Sequence, residues 1–82
     1  MFYVKLDTNE FIVVQLITEF MHPDTNTPHL LLYADDFIIT PADSVELLTD
    51  IPFKYAVKKG SHIIAFNNKK HYRNYPEWEV IK

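Results

Sequence analysis

The chain has no cysteine and a single glycine among its 82 residues. Without cysteine, neither disulfides nor thiolate metal sites can brace the fold. One glycine excludes a glycine-rich loop that cradles phosphate. No apolar run approaches the roughly 20 residues that cross a bilayer as a helix. The opening "MFYVKLD" lacks the basic start, apolar middle and small-residue cleavage site of a signal peptide. A cytoplasmic protein with no membrane partner is expected. Basic residues are also scarce at first: residues 1–53 hold nine Asp/Glu and one Lys, whereas residues 54–82 hold seven Lys/Arg and two Glu. The halves therefore carry −8 and +5, giving the net −3. Such a split suits a basic face for an anionic partner, complementary ends that meet between subunits, or two halves that neutralise each other.

Apolar residues make up 48% of the chain and aromatic residues 15%, too hydrophobic for a disordered segment. The length allows one small domain. It buries only about 60% of the surface that its unfolded chain exposes, so stability is marginal. With no disulfide or thiolate metal site, oligomerisation is the common remaining support.

The residue pattern predicts a mainly β fold. "FYVKL", residues 2–6, and "FIVVQLITEF", residues 11–20, form a hairpin across the turn formers Asp7 and Asn9. The second strand is apolar on both sides. Ile12, Val14, Leu16 and Phe20 share one face, and Phe11, Val13 and Ile17 share the other. It is buried on both faces or bends so that its halves serve different surfaces. A loop with Pro23 and Pro28 follows, then "LLLYADDFIIT", residues 30–40, with a bulge or turn at Asp35 and Asp36. "PADSVELLTD", residues 41–50, is either a two-turn helix capped by Asp43 or Ser44, with Glu46 in capping-box spacing, or an irregular crossing. "PFKYAVKK", residues 52–59, alternates as a half-exposed strand, and "HIIAF", residues 62–66, follows Gly60. These elements describe a small, strongly bent, five-stranded barrel of Sm-like or SH3-like kind, with at most one short helix. Residues 1–66 form the barrel domain, and residues 67–82 form a basic and aromatic segment packed on it or flanking it.

Catalytic chemistry finds little support. His22, His29, His62 and His71 match no standard metal-ligand spacing, so no metal or other cofactor is implied. Asp35 and Asp36 are adjacent, and on a strand would point to opposite faces rather than converge on a substrate. Ser44 and Ser61 have no visible triad partners, and the chain reads as a non-enzyme. "KKHYRNYPEW", Lys69 to Trp78, interleaves cations with rings. That pattern fits phosphate contact and base stacking. Alternatively, Tyr72, Tyr75 and Trp78, three residues apart, pack on the domain.

"VKKGSHIIAF" resembles the second signature of the Sm-like (LSm) family, in which an apolar residue, a basic residue and glycine precede two variable residues and an apolar strand. Val57, Lys59, Gly60, Ser61, His62 and Ile63 occupy that pattern, with Lys59 where the family usually has arginine. "VKL", the "DTNE" turn, "FIVVQLITEF" and "HLLLYADDFII" follow the family's order over residues 2–66, and His29 lies near its asparagine position. The chain departs from the family in lacking a helix before the first strand, in having Asn9 where a glycine is usual, and in lacking an evident aspartate–asparagine pair. The resemblance implies a homo-oligomeric ring of roughly five to seven subunits that binds RNA or single-stranded nucleic acid. Lys58, Lys59, Gly60 and Ser61 would form the contact loop, and His29 would stack on or hydrogen-bond a base. The competing expectation is a protein-binding module, such as a phage-type inhibitor or adaptor, whose acidic first half docks a basic partner.

Overall fold

The computed structural model describes all residues, Met1–Lys82. The chain forms eight strands: β1 (Phe2–Asp7), β2 (Glu10–Met21), β3 (Pro28–Tyr33), β4 (Phe37–Pro41), β5 (Leu47–Leu48), β6 (Tyr55–Lys59), β7 (His62–Phe66) and β8 (Glu79–Val80). One 3-10 helix spans Lys69–Asn74. All pairings are antiparallel.

β2 organises the sheet because its two halves take different neighbours. Glu10–Ile12 pair with β7, and the stretch from Glu10 to Val14 pairs with β1. Gln15–Met21 pair with β3, with the register shifting between Leu16 and Thr18. A bulge there bends the strand and re-aims its side chains. The sheet then runs β4-β3-β2-β7-β6-β8, with β1 joining β2 to β5. It does not close: β4, β5 and β8 each pair on one side only. In place of the expected closed five-stranded barrel, the sheet is open, bent and eight-stranded, and the molecule measures 47 × 20 × 16 Å.

Both faces of β2's first half are covered. Phe11 joins Ile51, Ala56, Ile63 and Ala65 in one cluster, with Tyr3, Val13, Leu48 and Phe53 against it. Val14 joins Val4, Leu30 and Leu32 in the other, with Ile12, Leu16, Val45 and Leu47 among its neighbours. Alternation along the strand sends odd residues to one core and even residues to the other. Beyond the bulge this two-sided burial ends, and Ile17 and Met21 are exposed.

The stretch 41–50 is not a helix. Ser44 N–H donates to Pro41 O at 3.1 Å in a turn, and Leu47 and Leu48 then pair with Val4 and Tyr3 of β1. Ala42, Val45 and Leu47 cover one core, while Leu48, Ile51 and Phe53 cover the other. A two-turn helix could bury only one side, so wrapping around the β1 edge prevails over a weak local helix preference.

β6 also differs from the half-exposed strand that its alternation predicts. It begins at Tyr55, after Pro52, and both Ala56 and Val57 are fully buried. Ala56 belongs to the Phe11 cluster. On the neighbouring strand, Phe66 lies under the C-terminal aromatic rings, stacking on Tyr75 at 6.1 Å and meeting Tyr72 edge-on at 5.0 Å. Asn68 caps the 3-10 helix by accepting from Lys70 N–H at 3.0 Å. β8 pairs with β6, and Tyr72 O–H donates to the Lys82 carbonyl.

Ile51→Ala should lower unfolding free energy by about 2–5 kcal/mol, because it empties a buried site between the wrapping segment and β2. Urea denaturation measures it. A change under about 0.5 kcal/mol, the usual range at an exposed position, would contradict the wrap.

Candidate functional site

The β6–β7 connection is a two-residue turn, because Lys59 and His62 lie opposite one another. Gly60 has φ +63°, and Ser61 has no positive φ. Glycine at the first central position is the signature of a type II′ hairpin turn, whose twist matches the flanking strands. A Cβ at Gly60 would meet no neighbour, so glycine is needed for backbone conformation and not for space.

Ser61 is only 7% exposed. Its carbonyl accepts from Val13 N–H at 2.9 Å, and its hydroxyl donates to Asp35 Oδ2 at 2.7 Å. The β6–β7 turn is thereby tied both to β2 and to the β3–β4 turn. A shallow cleft of ≈ 200 Å³ opens beside this junction, lined among others by Lys58, Gly60, Ser61, Asp35, Tyr33 and Val13. A second hollow of ≈ 290 Å³ shares Met1, Val13 and Lys58 with it and extends to Asp50, Ile51, Ile81 and Lys82. Lys58 stands between the two.

The sequence-predicted residues are divided among three places. Lys58, Gly60 and Ser61 line one cleft. Lys59 is exposed and follows Lys58 on the strand, so it points to the opposite face. His29 is not at this site. It lies four residues back along β3 from Tyr33, about 13 Å at the usual rise per residue. It is 8% exposed. Its Nδ1 contacts the Thr27 carbonyl at 3.1 Å, and its ring lies 4.7 Å from His22 and 6.1 Å from Phe20.

Asp35 is the site residue that sequence reasoning missed. It sits in a turn, as one of the two sequence readings has it, but it bridges to a serine 26 positions away. No local signal encodes that pairing. The carboxylate makes this end of the cleft unfavourable for a phosphate, while Lys58 favours one. No group of three or more His, Asp or Glu side chains is placed to hold a metal ion. No helix is long and apolar enough to cross a membrane.

At the far hollow, Lys82 Nζ meets Asp50 Oδ1 at 3.1 Å, the one ion pair in the protein. The hydrogen bond from Lys82 holds the Asp50 carboxyl below the usual carboxylate range, helped by the Ile51 N–H and by the charge of Lys82. A lowered acid pKa stabilises the clasp above the ordinary carboxylate pKa, and this is lost as pH falls through the lowered value.

Comparison with protein-family models, with curated proteins and with solved structures finds no match.

Two measurements test the site's two ties. A double-mutant cycle of Ser61→Ala and Asp35→Ala should give a coupling of about 1.5–3 kcal/mol in unfolding free energy, the range of a hydrogen bond to a charged group; additive effects would deny the tie between turns. The hydrogen-exchange protection factor of the Ile81 amide, which donates to Ala56 O at 3.0 Å, should fall as acid protonates Asp50. Asp50→Asn should flatten that pH dependence, and an unchanged profile would exclude the clasp.

Proposed function

We propose that the chain is a non-enzymatic, self-associating protein of Sm-like kind that binds RNA or single-stranded nucleic acid at the basic β6–β7 hairpin. The carrying observation is electrostatic. Lys82 is the only lysine or arginine with a carboxylate partner, which leaves Lys5 on β1 and, in the second half, Lys54, Lys58, Lys59, Lys69, Lys70 and Arg73 without one. Lys58 and Lys59 flank the rigid glycine turn, whereas Lys54, Lys69, Lys70 and Arg73 lie at or beyond the open end of the hairpin. Unpaired cations along it suit phosphate contact, with the counterion release that makes such binding salt-dependent. Lys58 reaches the cleft that Tyr33 also lines, where a ring can stack on an unpaired base. Lys59 serves the opposite face of the hairpin. Ser61 supports the turn through Asp35 and contributes its position, because its hydroxyl is already committed. His29 takes no part in this reading, since its ring is packed against His22 and Phe20. The resemblance that suggested a ring of subunits agrees with the small core and with apolar surface left uncovered on β3 and β4.

A second reading rests on that same uncovered surface. Phe37 and Ile39 are 63% and 59% exposed, and apolar exposure of this kind marks protein–protein contact. In this reading the chain is a protein-binding module.

Fluorescence anisotropy with short uridine-rich and adenine-rich RNAs, over a salt series, separates the two. Binding that weakens with salt, with Lys58→Ala and Lys59→Ala each costing several-fold and each reducing the slope by about one charge, is expected. No binding at low salt, or a titration indifferent to both lysines, would favour the second reading.

A further inference from the structure

The β3–β4 hairpin carries an unusual combination of charge and apolar surface. Tyr33 lies opposite Phe37 and Leu31 opposite Ile39, so the four share one face. The Tyr33 and Phe37 rings are 5.0 Å apart. Leu30 and Leu32 point the other way, into the core. Residues 15–46, which include this hairpin, contain six acids and no lysine or arginine. Asp36 stands at the Tyr33–Phe37 end of the face.

The open edge of β4 is poorly suited to strand addition. Ala42 N–H donates to Pro28 O at 3.0 Å and Ala34 N–H to Asp36 O at 3.1 Å, which fixes the phase of the β3–β4 ladder. Phe37, Ile39 and Pro41 therefore aim their main-chain groups outward. The Phe37 N–H is taken by Asp36 Oδ1 at 2.8 Å. Pro41 has no N–H, and its carbonyl accepts from Ser44. Ile39 alone keeps both groups free. Side-chain capping and proline blunt the edge, so a partner must use the face.

We propose that this face docks on the basic 3-10 segment of a second copy of the chain, in a head-to-tail contact. Lys69, Lys70 and Arg73 are exposed on that segment and have no intramolecular carboxylate partner. A guanidinium stacks on exposed aromatic rings and pairs with a rim carboxylate, which matches Arg73 to Tyr33, Phe37 and Asp36. A symmetric contact of two hairpin faces would oppose acid to acid, whereas the head-to-tail contact opposes acid to base. Contacts of this kind generate rings or filaments. The inference rests on the self-associating part of the proposed function and is independent of nucleic acid.

The test uses full-length protein freed of nucleic acid, followed by sedimentation equilibrium over a salt series. Wild type should self-associate, and more weakly as salt rises. Asp36→Lys and Arg73→Glu should each raise the dissociation constant at least about fivefold. Mixed in equal amounts, the two variants should regain association, because one contact between them is native and the other sets the introduced lysine against the introduced glutamate. Asp36→Asn keeps the acceptor for the Phe37 N–H and removes only charge. It should weaken association with the fold intact by circular dichroism, and it carries the test should Asp36→Lys misfold. A wild type that stays monomeric at all concentrations, association indifferent to these variants, or a mixture that fails to pair would overturn the proposal. Failure to bind RNA in the titration above leaves this outcome unaffected.

Discussion

The fold depends on one constraint: the first half of β2 is apolar on both faces. Phe11 and Val13 belong to one core, and Ile12, Val14 and Leu16 to the other. A strand of this kind must be covered twice, and a chain of 82 residues has little to spare. The segment from Ala42 to Phe53 supplies both covers. It crosses one face, pairs briefly with β1 through Leu47 and Leu48, and then returns across the other face to Phe53. Each turn of that path serves burial rather than local preference.

The same economy leaves the distal hairpin short of cover. Past the bulge, β2 has only β3 beside it, and β3 has only β4 on its other side. One side of this arm completes the second core through Leu30 and Leu32. The other side is left with Tyr33, Phe37 and Ile39 in solvent. The arm is anchored to the rest of the sheet where Ser61 meets Asp35, so the turn that holds the basic hairpin also positions the acidic one. Opposite charges are thus brought close at one junction but remain largely unpaired elsewhere, which leaves both available to a partner.

Much of this was legible in residue pattern. The apolar runs mark β1, β2, β3 and β7, because β-branched and aromatic residues cluster there between turn formers. The lone glycine marks the two-residue turn that needs a positive φ, because a II′ geometry admits little else. The double-sided character of β2 is visible in its composition, although its division between β1, β7 and β3 is not. What pattern could not give was long-range geometry. The tie between Ser61 and Asp35 spans 26 positions. The capping spacing at Asp43 and Glu46 imitates a helix start, but the burial of Val45, Leu47 and Leu48 on different cores decides otherwise. His29 looks like a loop residue available for contact, but Thr27, His22 and Phe20 enclose it. Lys58 and Lys59 read as one basic pair, and the pleat separates them.

The wrap of residues 42–53 around β1 is the claim on which both cores depend, and side-chain proximity measures it directly. Nuclear Overhauser spectra of the isotope-labelled protein should connect Leu47 with Val4 and Leu48 with Tyr3, and should connect Val45 and Ile51 to different cores. Sequential helical contacts from Asp43 to Leu48, with no cross-peaks to β1, would contradict it.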